Sequence, residues 1–410
     1  MTKNVKVKVF PAGAGESILI SFSGVKRTNI LIDCGYVSTY KTIKKELIKL
    51  KSKGECIDLL VLTHIDNDHI NGARGLLNDY INGVICDISE IWINDYFRIF
   101  GVDKLDHVEI SKNELNLISE LNGKNYPIDN MNYGEKNVGY KDSHLLVNLL
   151  SNKKLQGKVN KTFNGGCVKV SEGIVINDEI NISVISPTED ILVNLLEEWR
   201  LYLKSKGFGE LSKYEEIAKS FELFYINNLE GKVSMVSDKN CSSNYSTLND
   251  LISFDQKDKT LINRSSIAFI VEFENQKFLF LGDSSPKDYD EMLKGLYHDN
   301  NEDKIDFELV KISHHGSKFN TSSTMFDYIK SRRYLISTNG NLHRHPDLET
   351  IYKIIFKQNN HKDIYFNYKS NKVLTSMKTL NIDKIENKPC FDIKYENNNK
   401  MGRNILTINI

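Results

Sequence analysis

The chain has no net charge: its 410 residues carry 54 Lys plus Arg against 54 Asp plus Glu, so no global field advertises nucleic acid, although a locally basic channel fits under a balanced total. It also lacks close cysteine pairs. Cys34, Cys56, Cys86, Cys167, Cys241 and Cys390 lie far apart with no C-x-x-C, which argues against a disulfide framework and against a cysteine zinc knuckle. Reduced thiols in a cytosol fit best, and a cytoplasmic location is expected. No apolar run reaches the length needed to cross a bilayer, and the N-terminus has no signal-peptide core, so no membrane is expected as a partner. There is no internal repeat beyond a loose symmetry of two halves, each β and then αβ.

What is present is enough for a large core, since 40% of the residues are hydrophobic. Alternation at 5–10 and 17–22 and the run 29–32 read as strands; residues 39–53 read as a helix with Ile43, Leu47, Ile48 and Leu50 on one face and a solvated lysine face. A buried strand at 57–62 follows, then a helix at 70–80 and a short strand at 90–94. Residues 95–165 read as an inserted, partly irregular segment, and 188–262 as mostly helical, with a stripe of Ile191, Leu192, Leu195, Leu196, Trp199, Leu201 and Leu203 and a polar tract at 237–258. Strands are predicted at 267–273, 277–281, 307–312 and 334–337, and helices at 287–297 and 323–331. The last fifty residues read as short strands.

The most informative stretch is Thr63-His64-Ile65-Asp66-Asn67-Asp68-His69, directly after the apolar run 57–62. Two imidazoles and two carboxylates this close repel or desolvate one another unless a cation binds them, and divalent metals favour this donor mixture. The alternative is a polar loop whose Asp66 or Asp68 caps a helix. Two more polar clusters end apolar strands: Asp283 after 277–281, and His314-His315 after 307–312. In layered α/β folds that strand edge is where ligands gather. Asp283 can equally be a helix N-cap before Pro286, and the histidine pair one core and one solvated residue.

Taken in order, Gly13-Ala14-Gly15-Glu16-Ser17, Leu31-Ile32-Asp33-Cys34-Gly35, the loop from Thr63 to Gly72, Asn263-Arg264-Ser265-Ser266, Leu281-Gly282-Asp283, Ser313-His314-His315-Gly316-Ser317 and Asn341 through His345-Pro346 resemble the metallo-β-lactamase fold superfamily, and within it soluble relatives of the ComEC competence nuclease domain. The resemblance covers roughly residues 5–350. It implies an α/β fold, an αββα sandwich, with a hydrolase domain over 1–360 interrupted by insertions at about 95–165 and 188–262, and a β extension over 361–410. It implies two divalent cations, zinc or manganese with magnesium possible. His64 and Asp66 would hold the first, Asp68 and His69 the second, Asp283 would bridge them, and His315, with His314 as the alternative, would complete the second. Two departures stand out. Asp66 occupies a position where relatives carry histidine, which shifts the first site toward harder cations or weaker binding. The histidine that many relatives supply before the bridging aspartate is missing, with Asn263 nearest its place.

The activity implied is a metal-dependent phosphodiesterase, most simply a nuclease, in which a water activated between the cations attacks phosphorus. Asp68 would also orient that water, and His345, with His343 competing, would donate a proton to the leaving group. Ser317, Ser266 and Asn263 would contact substrate, with turn hydrogen bonding the equal alternative for the serines. A hydrolase of small cyclic or signalling nucleotides uses the same residues. A non-catalytic module binding a protein through its helical insertion is the third reading.

Overall fold

A computed structural model describes residues 4–101, 145–205, 218, 221–222, 248–301, 303–369, 373–375, 390–395 and 404–410. Residues 102–144 of the first anticipated insertion, and 206–217 and 223–247 of the second, lie outside the described residues. The architecture is an α/β sandwich of two mixed sheets with flanking helices, as expected. The first sheet is built from β1 (Asn4–Val9), β2 (Ile18–Ser23), β3 (Arg27–Ile32), β4 (Ile57–Leu62), β5 (Ile88–Ile93) and the C-terminal β16 (Leu406–Asn409), in the order β16-β1-β2-β3-β4-β5. The second contains β6 (Ser171–Ile176), β7 (Ile180–Ser186), β8 (Ala268–Phe273), β9 (Gln276–Phe280), β11 (Leu309–Lys311), β13 (Arg333–Ile336), β14 (Lys362–Phe366) and β15 (Phe391–Tyr395), in the order β15-β14-β13-β11-β9-β8-β7-β6. A separate pair joins β10 (Ile305–Phe307) to β12 (Ile329–Ser331) in parallel.

Side-chain period explains the layers. Val5, Val7 and Val9 of β1, Ile20 and Phe22 of β2 and Leu59 and Val61 of β4 meet Ile182, Phe269, Phe278, Leu309 and Leu335 between the sheets. The opposite face of β4, Leu60 and Leu62, is covered by Leu47 of α1 (Val37–Ser52) and Leu76 of α2 (Asn67–Ile81). β4 is therefore buried on both faces, which is why it reads as an uninterrupted apolar run. On the far side, Tyr289 and Leu293 of helix Pro286–Asp299 and Ile354 of helix Leu348–Phe356 cover Val310 and Ile336.

Several local expectations change. The strand expected at 307–312 is two strands, β10 and β11, split at Glu308 and belonging to different sheets. The helix expected at 323–331 is one short turn, Met325–Tyr328, after which Ile329, fully buried, pairs with Ile305; tertiary burial of a β-branched residue overrides helical spacing. β6 was not anticipated, because Gly173 and a register irregularity break its alternation. In the amphipathic helix Glu189–Ser205 the predicted stripe is buried except Leu201, which is 66% exposed, and in α1 Ile48 faces outward at 42%. No helix among the described residues is long and apolar enough to cross a membrane.

Candidate metal centre

Parallel strands deliver the site. β9, β11 and β13 run side by side, so the residues following them, Asp283, His314-His315 and Ser337, emerge at one edge. The first sheet reaches the same edge through Thr63, whose carbonyl accepts from Ile267 N at 2.8 Å. α2 begins at Asn67, earlier than its periodicity suggests, so Asp68 and His69 lie in its first turn rather than in a loop; Asp66 is the N-cap residue but makes no side-chain cap bond. Helical geometry thus aims both residues, and the capping alternative for Asp66 fails. Asp283 is likewise not an N-cap, since Ser285 holds that position. Gly15 is required by closeness: a Cβ there would lie 2.1 Å from the Asp68 carbonyl oxygen.

Two clusters result, one of His64, His69 and Asp283 and one of Asp68, His69 and His315, with the ligand atoms of each within 4.8 Å of one another. His69 Nε2 lies 3.4 Å and His64 Nε2 3.8 Å from Asp283 Oδ2, and His315 Nε2 lies 3.3 Å from Asp68 Oδ2. Asp66 Oδ2 approaches His64 Nε2 at 3.7 Å. The His64 and His69 rings are 4.2 Å apart. Nε2 of His64, His69 and His315 and Oδ1 of Asp283 are buried without a hydrogen-bond partner. Buried polar atoms are rarely left so, and four converging from three segments fit cation ligands. The two clusters are positioned to coordinate divalent metal ions jointly.

Their outer partners fix the imidazoles. His69 Nδ1 lies 2.7 Å from Asp33 Oδ2, and Asp33 also accepts from Thr63 N at 2.8 Å and Thr63 Oγ1 at 2.7 Å. His315 Nδ1 donates to the Ser337 carbonyl at 2.7 Å. Both contacts place the proton on Nδ1 and leave Nε2 free, as metal-ligating histidines require. Asp33 belonged to a recognisable motif, but its role was missed; an acid ending the strand beside the metal-loop strand was the available signal.

Charge is concentrated here. Burial opposes ionisation of Asp68 and Asp283, but the neighbouring histidines hold both carboxyls well below the usual range. Burial similarly disfavours the His69 and His314 cations, yet the aspartates push His69 up, and push His314 up to about 9. In metal-free protein the His314 contribution is fully present below the unfolded value of about 6.5 and is lost as pH rises through about 9, while the aspartate contribution is lost only as pH falls below about 4. Chelator-treated protein is therefore expected to lose about 3 kcal/mol from His314 alone between pH 6.5 and 9. Denaturant titrations across that range check this; a flat profile would contradict it. Added cation, which competes with those protons, should stabilise more at pH 8 than at pH 6.

The other expected residues are nearby with varied surroundings. His314 Nε2 lies 3.6 Å from Asp283 Oδ2, and its ring is 5.5 Å from that of His345. His345 faces Asp347 at 3.3 Å, with the His343 ring 5.9 Å away, and burial lowers its pKa. Ser266 Oγ accepts from Asp283 N at 3.1 Å, across to the next strand end, and Ser317 Oγ accepts from Phe319 N at 3.3 Å within its own turn; both serines are buried. Asn263 Nδ2 donates to Asp258 Oδ2 at 2.7 Å. Asp258 and Asn320 went unrecognised because no local motif marks them. A third group, His361, Asp363 and Asp392, sits where β14 begins, away from this edge, and Lys394 Nζ already lies 2.8 Å from Asp363 Oδ1.

A family model described as Metallo-beta-lactamase superfamily matches residues 11–91. No curated protein sequence matches the chain. The crystal structure of the metallo-beta-lactamase fold protein YhfI from Bacillus subtilis is similar at 8% identity, with all of both chains covered and a TM-score of 0.40. The matched stretch contains β2 to β4, the His64 to His69 loop and α2, and the sandwich around it carries the paired clusters. Residues 11–91 are accordingly similar to the metallo-β-lactamase superfamily, and the two-sheet sandwich around them is consistent with that fold.

Proposed function

We propose that this protein is a metal-dependent phosphodiesterase, acting as a nuclease on DNA or RNA. The observation that carries the hydrolase reading is the convergence of unpartnered His64, His69 and His315 Nε2 atoms with Asp283 Oδ1; the His-His-Gly-Ser resemblance directs it toward phosphodiesters. His64 and Asp66 would hold one cation, Asp68, His69 and His315 the other, with Asp283 between. Bound there, two divalent cations supply Lewis acidity toward a phosphoryl oxygen and a lowered pKa for water. Asp68, kept ionised by its histidine neighbours, accepts a hydrogen bond from the attacking water and orients it. His345 is uncharged at neutral pH because burial lowers it, and an arriving phosphodiester anion raises it toward the protonated form that can serve a leaving oxygen. Ser317, Ser266 and Asn263 would contact the substrate. The described cysteines are free thiols, which suits the cytoplasmic setting included in this proposal. So is the division into a hydrolase domain over 1–360 and an extension over 361–410, with the 188–262 insertion available to a protein partner.

The test is cleavage of plasmid, single-stranded DNA, RNA, bis-p-nitrophenyl phosphate and nitrocefin with Mn²⁺, Zn²⁺ or Mg²⁺, beside an Asp68→Ala/His69→Ala variant. Phosphodiester cleavage lost in the variant is expected. Cleavage confined to small cyclic nucleotides would move the substrate class, cleavage of nitrocefin alone would reject the proposal, and inactivity with metal bound would favour the interaction module.

A further inference from the structure

His314 and His315 are consecutive, and on an extended strand their side chains would point to opposite faces. Both instead adopt left-handed backbone angles, φ 44° and 53°, which non-glycine residues rarely hold without a reason. The effect is that both imidazoles face one carboxylate: Nε2 of His314 lies 3.6 Å and Nε2 of His315 3.9 Å from Asp283 Oδ2. Chemistry on the far side of the His314 ring says what Nε2 is for. Asn320, 1% exposed, turns its amide nitrogen toward three acceptors, Asp258 Oδ2 at 3.1 Å, the Asp283 carbonyl at 3.1 Å and the Ser284 carbonyl at 3.4 Å. That fixes the amide orientation, so its oxygen faces His314 Nδ1 at 3.0 Å. Nδ1 therefore carries a proton, and Nε2 faces the Asp283 carboxylate at 3.6 Å, a position that a second proton fills in metal-free protein and that a metal ion can take in its place.

We infer that His314 is a ligand of the first cation, filling the place of the histidine this chain lacks, and that Asn320, held by Asp258, is the positioning residue that fixes its tautomer. The inference rests on the two-cation reading above. The spacings suit it: His64 Nε2 to Asp66 Oδ2 is 3.7 Å, His64 Nε2 to Asp283 Oδ2 3.8 Å and His314 Nε2 to Asp283 Oδ2 3.6 Å, a little wider than the about 3–3.5 Å separating neighbouring ligands held at 2.0–2.2 Å. His315 then serves the Asp68 cluster, and the histidine doublet divides between the two cations. Asp258 belongs to a segment anticipated as a helical insertion, and its main chain is tied to the same edge, Asp258 N donating to Phe319 O at 3.0 Å and Ser285 Oγ to Asp258 O at 2.8 Å.

Zn²⁺ calorimetry with elemental analysis, on the full chain, tests this without activity. Wild type is expected to bind two ions. His314→Ala should weaken one at least tenfold and leave the other unchanged, and Asn320→Ala should weaken the same ion about 10–100-fold. Asp258→Asn, which keeps the size of the side chain, serves if Asn320→Ala fails to fold, with the same ion weakened. Side-chain ¹⁵N spectra of the Zn²⁺-loaded wild type should show His314 protonated at Nδ1 and metal-bound at Nε2. Two ions bound with wild-type affinity in His314→Ala, while His64→Ala weakens one, would overturn this inference and leave the two-cation reading standing. Wild type binding no ion, or binding unmoved by His64→Ala, would overturn both.

Discussion

Asp283→Ala is expected to weaken both cation sites together and to lower phosphodiester cleavage at least about 1,000-fold, the equivalent of losing several kcal/mol of charge stabilisation in the transition state. Its Oδ2 lies 3.4–3.9 Å from Nε2 of His64, His69, His314 and His315, so one carboxylate is shared by four imidazoles. Removing it leaves these rings without the carboxylate they share, since Asp66 lies by His64 and Asp68 by His69 and His315. Asp66→Ala, by contrast, removes a carboxylate at the rim, 31% exposed, whose Oδ2 lies 3.7 Å from His64 Nε2, and should weaken only one ion. Titrating each variant with Mn²⁺ and measuring bis-p-nitrophenyl phosphate turnover at saturating metal separates the two. An Asp283→Ala enzyme restored to near wild-type rate by more metal would show that Asp283 does not bridge.

The sequence carried the strand-end clusters because each is local: an apolar run buried on both faces must stop where polar ligands begin, and His64, Asp283 and His314 all follow such runs. The layered α/β architecture was legible for the same reason. What was not legible depends on contacts between distant segments. Asp33 reads as a motif residue until it is seen 2.7 Å from His69 Nδ1. Asn320 is an ordinary polar residue until three acceptors fix its amide. Ile329 satisfies helical spacing but is drawn into a strand by burial against β10. The split of 307–312 at Glu308 has a similar origin: Glu308 N donates to Lys277 O at 2.8 Å and its carboxylate lies 2.7 Å from Arg333, so the chain changes partners there. For Ser266 and Ser317 the sequence leaves two readings open, since hydroxyls suited to phosphate are equally suited to backbone amides; both are buried and accept from Asp283 N and Phe319 N respectively.

Lys311→Met is expected to cost about 3–5 kcal/mol at neutral pH, the range for removing one partner of a buried ion pair. Lys311, on β11, is fully buried, as is Glu16, which arrives from the first hairpin, and the two form an ion pair across the sandwich beneath the metal site. Glu16 N also donates to the Asp68 carbonyl at 3.1 Å, so the pair anchors the backbone that α2 starts from. Burial already raises the Glu16 pKa against the opposing pull of Lys311. Without the ammonium that pull disappears, and the carboxyl either takes up a proton or stays charged and unpaired. The variant should therefore lose most of its stability above the raised Glu16 value and regain part of it in acid, where protonation is no longer a penalty. Adding Glu16→Gln should recover stability at neutral pH, because an amide of the same size needs no counter-charge. Urea titrations of the three proteins at pH 5 and pH 7.5 read this out. A Lys311→Met loss equal at both pH values, and unrelieved by Glu16→Gln, would mean that the lysine stem's packing holds the two sheets together here and its charge does not.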